Sequence, residues 1–184
     1  MKTDHVDILQ LHNPRDPDEV IGNKIVETLK EIQAAGQTRF ISVSSTLPML
    51  PTYLEWGCFD TFQIPYSALE RAHEDVITKV AESGAGVIIR GGVAKGAVSG
   101  NAPSGPKWDI WNAAGMDGLL SGMTRGEFML RYTLSHPHSH TTIVGTLRPE
   151  HLWDNLAAAA KGPLAPDVYE EARRRLSVEG NRPQ

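Results

Sequence analysis

The sequence predicts an α/β protein with a parallel sheet, built from five strand–helix units and a C-terminal helix. Three observations carry this. Short apolar runs alternate with helical stripes from Val6 onward. The run Gly86 to Ile89 is continuously apolar and bounded by glycines, as a strand covered on both faces reads. Gly36, Gly57 and Gly84 each stand directly after a helical stripe, where a residue tolerant of positive φ ends a helix.

The first strand is expected from about His5 to Leu11, with His12 and Asn13 at its end. Pro14 and Pro17 form the loop, and Asp16 or Asp18 can cap the next helix. That helix is expected as one piece from Glu19 to Ala35, with Val20, Ile21, Ile25, Leu29 and Ile32 as its apolar stripe. A strand Arg39 to Ser44 leads to a short helix, Leu50 to Trp56. A strand Thr61 to Pro65 precedes a helix His73 to Ser83, and Gly86 to Ile89 is the fourth strand. A long loop from about Ala97 to Met123 follows, and loops of that length are usually functional or disordered. Trp108 and Trp111, three apart, suggest a helical turn within it. It either folds over a ligand or packs its tryptophans on the helix Arg125 to Ser135. The last elements are a strand Thr141 to Val144, a helix Glu150 to Lys161 and a helix Asp167 to Leu176.

Composition sets outer bounds. A chain of 184 residues, 40% hydrophobic and 22% charged, reads as one soluble globular domain over 1–184. A net charge of −4 gives no electrostatic reason to expect nucleic acid. The triplet Arg173-Arg174-Arg175 beside Glu170 and Glu171 reads as a solvated helix face. Cys58 is the single cysteine, which fits a reducing compartment. No window reaches membrane-spanning length and the first residues lack a signal core, so a cytoplasmic protein without a membrane partner is expected.

Alternation of strand and helix fits either a doubly wound sheet or a (β/α)8 barrel, and a full barrel takes about 250 residues. In both, ligands bind outside the carboxyl ends of the strands. The residues expected there are His12 and Asn13, Ser44 and Ser45, Tyr66 and Ser67, Arg90 and Gly91, and Gly145 to Arg148. This set is polar with two arginines and no carboxylate cluster, which suits a phosphorylated cofactor better than a metal. His136, His138 and His140 alternate on a helix-to-strand connection, the face of a barrel associated with stability, so no metal site is expected. Gly84-x-Gly86 precedes a strand and is no dinucleotide fingerprint.

Four segments, in order from His5 to Asn155, resemble the C-terminal part of an aldo/keto reductase. H-V-D-I-L-Q-L-H-N resembles the fourth barrel strand with its catalytic histidine. R-F-I-S-V-S-S resembles the fifth-strand motif that ends in Ser-Asn. F-D-T-F-Q-I-P-Y-S-A-L-E-R resembles the sixth-strand segment, and G-T-L-R-P-E-H-L-W-D-N the segment that grips the adenosine 2′-phosphate of NADPH. The resemblance implies a partial (β/α)8 TIM barrel lacking the first three βα units. It implies hydride transfer between NADPH and a small aldehyde or ketone, with a tyrosine as proton donor, its pKa lowered by a lysine paired with an aspartate. Those three residues lie on the family's earlier strands.

Residue by residue, the resemblance makes His12 the histidine that polarises the carbonyl, a role an imidazole N–H can fill by donating to an oxygen gaining charge. Ser44 and Gln63 match residues that hold the nicotinamide carboxamide. Ser45 stands where the family has asparagine. Tyr66 falls on the cofactor side, and Arg90 where relatives carry an aromatic residue stacked on nicotinamide, as a guanidinium plane can also do. Gly91 and Gly92 would admit backbone amides to the pyrophosphate. Gly145 opens the 2′-phosphate segment, Arg148 matches its usual cation, and His151, Asp154 and Asn155 match positions near adenosine. Leu147 departs from the small polar residue often found there. Two readings follow. One is a reductase part, inactive as an isolated chain, completed by an N-terminal segment with the three missing strands. The other is a short homologue without catalysis that serves as an NADP-binding or protein-interaction module, its sheet edges covered by self-association or a partner.

Overall fold

The computed structural model describes residues 2–14, 16–99 and 103–184. Strands β1 (Val6–His12), β2 (Thr38–Ser44), β3 (Thr61–Pro65), β4 (Gly86–Arg90) and β5 (Thr141–Ile143) form one sheet in the order β1-β2-β3-β4-β5. β1 and β2 pair in parallel, as do β2 and β3. A doubly wound sheet reverses its order at a switch point, whereas a barrel wall runs sequentially. The strand order therefore decides for part of a barrel.

The helices are α1 (Pro17–Gly22), α2 (Ile25–Ala34), α3 (Leu50–Glu55), α4 (Glu74–Glu82), α5 (Pro106–Ala113), α6 (Arg125–Ser135), α7 (Pro149–Ala160) and α8 (Pro166–Val178). β3 and α6 have the bounds read from sequence. The helix expected as one piece from Glu19 to Ala35 is two helices. Gly22 and Asn23 are poor helix formers, and Lys24 takes a left-handed conformation with φ 51. The stripe breaks with the helix: Val20 and Leu29 are buried, while Ile21 is 56% exposed. Asp16 caps α1 as expected, its carboxylate accepting from the Asp18 amide at 2.9 Å.

By their internal contacts the residues form two units, Met1–Ile64 with Val76–Ile88, and Pro65–Asp75 with Ile89–Gln184. In the first unit successive strand residues alternate between two faces. Ile41, Val43, Phe62 and Ile64 are buried in a core with Leu29, Leu50, Tyr53, Ile77 and Val80. The register puts the other set in rows: Ile8 beside Phe40, Gln10 beside Ser42 and Thr61, and His12 beside Ser44 and Gln63. Ile8 and Phe40 are 40% and 41% exposed. This face thus begins apolar and open to solvent and becomes polar toward the strand ends.

The second unit packs Trp111, Met116, Phe128, Met129, Tyr132, Tyr169, Ala172 and Leu176 in its core. Beside them lies a buried ionic clamp. Arg71 Nε donates to Glu74 Oε2 at 2.8 Å, and its Nη1 donates to the Arg173 carbonyl, Ser177 Oγ and the Asn181 carbonyl at 3.0, 2.9 and 2.9 Å. Arg173 closes on Glu74 Oε1 at 2.6 Å. Only part of the expected solvated arginine face is therefore solvated. Arg174 and Arg175 pair with Glu171 on the helix surface, while Arg173 ties α8 to the buried Glu74.

Candidate functional site

In the first unit the site residues come together through strand register. His12 is opposite Ser44 and Ser44 is opposite Gln63, so the three lie level at the carboxyl ends of neighbouring strands. The strands end there for local reasons. Asn13, just past β1, is left-handed with φ 52, and its amide donates to the Ser44 carbonyl at 2.8 Å. The Ser45 amide donates to the Gln63 carbonyl at 3.2 Å. Ser44 Oγ donates to Gln63 Oε1 at 3.1 Å. Ser44 and Ser45 are each 1% exposed, whereas His12 is exposed. A hydroxyl and a carboxamide held in this way can present donors and acceptors to an amide-bearing ring, and the exposed imidazole beside them can reach a carbonyl oxygen.

In the second unit, Tyr66 departs from expectation. It is 1% exposed; its hydroxyl shares a hydrogen bond with the Tyr169 hydroxyl at 3.1 Å, and its ring meets the His136 ring edge-on at 5.2 Å. Burial first, then the neighbouring Tyr132, pushes its pKa well above the ordinary tyrosine value. Tyr66 is thus built into the core, its hydroxyl already partnered. His136 is buried too, and its Nδ1 accepts from the His138 amide at 3.2 Å. Among the described residues no group of three or more His, Cys, Asp or Glu is arranged to hold a metal ion.

Arg90, at the end of β4, lines a cavity of about 310 Å³ with Gly91, Ala94, Lys95, Lys107 and Glu70. Gly91 has φ 73 and an open space where a Cβ would stand. Gly92 is different. A Cβ there would meet Thr142 Oγ1 at 3.0 Å and Thr133 Cγ2 at 3.1 Å, so close packing by itself calls for a glycine. Neither Lys95 nor Lys107 carries a motif that marks it in the sequence. Ala94 and Lys95 are left-handed at φ 49 and 57, and the Gly96 that follows them is the one sequence signal of a turn there.

The long loop is ordered on both sides of residues 100–102, which lie outside the described residues. Trp111 is fully buried against Phe128, the rings edge-on at 5.7 Å. Its Nε1 donates to Asp117 Oδ1 at 2.8 Å, and Arg125 forks onto the same carboxylate at 2.8 and 2.6 Å. Those bonds, Arg125 foremost, pull the Asp117 pKa down to about 2. Arg125 also lies over the Trp108 ring at 4.8 Å. The loop therefore packs its tryptophans toward α6.

Gly145, Arg148, His151 and Asp154 are exposed along the β5–α7 segment, and Asn155 is half-buried. Leu147, Leu152, Trp153 and Leu156 are exposed alongside them, Leu147 completely. α7 buries only Ala158.

Comparison with known proteins agrees with the fold. The chain spans between 52% and 63% of the length of the aldo-keto reductase structures it is similar to. The aldo-keto reductase AKR11C1 from Bacillus halodurans, holo form, superposes with a TM-score of 0.81 at 23% identity over 95% of this chain and 60% of that one. The glycerol dehydrogenase AKR11B4 from Gluconobacter oxydans does so with a TM-score of 0.78 at 18% identity over 100% of this chain and 62% of that one. In sequence the chain is 25% identical over 174 residues to the uncharacterized oxidoreductase YqkF of Bacillus subtilis strain 168, covering 86% of this chain and 56% of that protein. The profile of the Aldo/keto reductase family matches residues 1–175, and the chain belongs to that family.

Proposed function

We propose that this chain binds NADP(H) and carries the nicotinamide- and phosphate-recognising residues of a carbonyl reductase. The observation that carries the reading is the level row of His12, Ser44 and Gln63 at three adjacent strand ends. The residues fit the cofactor chemically. Ser44 and Gln63 offer a hydroxyl and a carboxamide to the nicotinamide amide. Arg90 and Lys95 line a cation-rich cavity suited to phosphate, and Arg148, exposed and with a planar fork of donors, suits the 2′-phosphate. Asp154, His151 and Asn155 follow on α7 for adenosine, and Gly145 leaves the chain entering that segment without a side chain.

When bound, NADPH supplies a hydride to the carbonyl carbon of a small aldehyde or ketone. His12 donates a hydrogen bond to the oxygen as negative charge develops there. Ser44, itself held by Gln63, fixes the amide and thereby the ring face. Proton delivery in this chemistry needs an acid of matched pKa. Tyr66 does not serve, because its hydroxyl is buried against Tyr169.

A second reading rests on the exposed Ile8 and Phe40 and on the open apolar face of α7. Exposed apolar patches mark interaction surfaces; on this reading the isolated chain binds cofactor without turnover, and the patches receive a complementing segment or a second copy, of which only the segment can bring the missing acid. Fluorescence titration with NADPH and NADH tests the first reading: micromolar NADPH binding that weakens on adding 2′-phosphate analogues supports it, and absence of binding sinks it. Carbonyl reduction by the purified chain, lost in His12→Ala, would overturn the second.

A further inference from the structure

The cavity beside β4 carries one contact that cofactor recognition does not explain. Its wall holds three cations, Arg90, Lys95 and Lys107, and one carboxylate, Glu70. Lys107 Nζ lies 3.1 Å from Glu70 Oε2, with the two side chains 36% and 38% exposed. Arg90 and Lys95 make no ion pair among the described residues. Lys107 sits in the first turn of α5, and the far end of that helix is held through Trp111, Asp117 and Arg125.

We propose that the Glu70–Lys107 pair is an exchangeable latch: a phosphate-bearing ligand entering the cavity replaces Glu70 as the partner of Lys107. The inference rests on the NADP(H) reading for the natural ligand, but the cavity's charges alone define the ligand class. Four features carry it. The pair is solvated at both ends, where ion pairs contribute little net stability, so exchange costs little. A phosphate offers several acceptor oxygens and more negative charge than one carboxylate. A lysine ammonium, with three donors on a flexible stem, can follow the stronger anion without rebuilding the backbone. The wall beside it is a turn of successive left-handed residues, Ala94, Lys95 and Gly96 at φ 49, 57 and 74, a strained conformation found at ligand clamps. Glu70 keeps Lys107 paired in the meantime and lowers the net positive charge that would draw other anions.

Two probes test this on the whole chain: NADPH by fluorescence and inorganic pyrophosphate by calorimetry. Each is titrated into the wild type, Glu70→Gln, Lys107→Met, Lys107→Arg and the Glu70→Gln/Lys107→Met double variant. Freed from its partner, Lys107 should bind either probe up to about fivefold tighter in Glu70→Gln. Losing a charge-assisted bond in Lys107→Met should weaken binding by about tenfold or more. Lys107→Arg should retain most of the affinity, and Glu70→Gln should change little once Lys107 is gone. Both side chains are half-exposed, so all variants should melt like the wild type. If NADPH binds the wild type and every variant alike, the latch is wrong and the cofactor reading stands. If pyrophosphate shows the pattern and NADPH does not bind, the latch stands and the nicotinamide reading fails. If neither probe binds, both fail. Equal gains from Glu70→Gln with and without Lys107 would reduce Glu70 to a repelling charge and overturn the exchange.

Discussion

The two units hold their polar residues by opposite means. In the first, His12, Ser44 and Gln63 are level because three strands are in register, and one neutral hydrogen bond links the last two. In the second, Arg71, Glu74 and Arg173 are held by buried charge, and Arg71 alone ties down three acceptors in and beyond α8. Register positions a side chain without desolvating a charge. A buried ion pair does desolvate charge, and removing one partner leaves the other uncompensated. The strand-end row should therefore tolerate substitution, while the clamp should not.

The largest effect is expected at the clamp. Arg71→Met removes one of the two arginines on Glu74 and takes a donor from two carbonyls and a hydroxyl. A loss of about 3–5 kcal/mol is expected, read by urea unfolding. A loss under about 1 kcal/mol would mean that water replaces the guanidinium, and the contrast between the units would collapse.

Arg148 sharpens the comparison inside the second unit. It stands exposed at the N-terminus of α7, with no ion pair among the described residues. Arg148→Ala should leave the melting temperature unchanged. On the proposed reading it should weaken NADPH by about 10- to 100-fold, the worth of charge-assisted bonds, and NADH hardly at all. Equal weakening of both nucleotides would remove the 2′-phosphate from its role.

Acid should also separate the regions. His73 and His136, both in the second unit, are buried, and desolvation lowers the pKa of each from an ordinary 6.5. The unfolded chain thus binds protons that the folded one refuses. Stability is complete above about pH 6.5 and falls as pH drops below it, until the lowered native values are passed. Melting curves at pH 7.5 and 5.5 read this, and His136→Asn should flatten the difference.

Ser44→Ala deletes the side-chain hydrogen bond from Ser44 to Gln63. A cost of about 1 kcal/mol in stability is expected, with a several-fold weaker grip on NADPH. A much larger loss would show that the hydroxyl, not the register, aligns the row.

The same contrast explains what could be read from sequence. Strands and their ends follow from local apolar runs, so β3 and the positions of His12, Ser44 and Gln63 were legible. The break at Lys24 was less so, because the Val20-to-Ile32 spacing continues across it and only Gly22-Asn23 hinted at a stop. The burial of Tyr66 was not legible, because a tyrosine at a strand end looks the same in sequence whether its hydroxyl is open or, as here, meets that of Tyr169, 103 residues away in the chain. The clamp and the Lys107–Glu70 pair were invisible for that reason too: each joins charges from segments whose sequences look solvated.

The smallest effect is expected at Trp153, and it bears on what covers α7. The side chain is 69% exposed, beside Leu152 and Leu156 at 45% and 52%. Little apolar area leaves water when such a residue folds, so Trp153→Ser should change stability by less than about 0.5 kcal/mol. It should also reduce self-association at high concentration, since an open apolar face is what associates. Sedimentation and urea unfolding of the same variant read both. A large loss of stability that grows as the protein is diluted would place Trp153 in an interface between copies. A large loss independent of concentration would place it in the folded core. Near-neutral stability with unchanged sedimentation would leave the α7 face a surface that this chain, by itself, keeps in water.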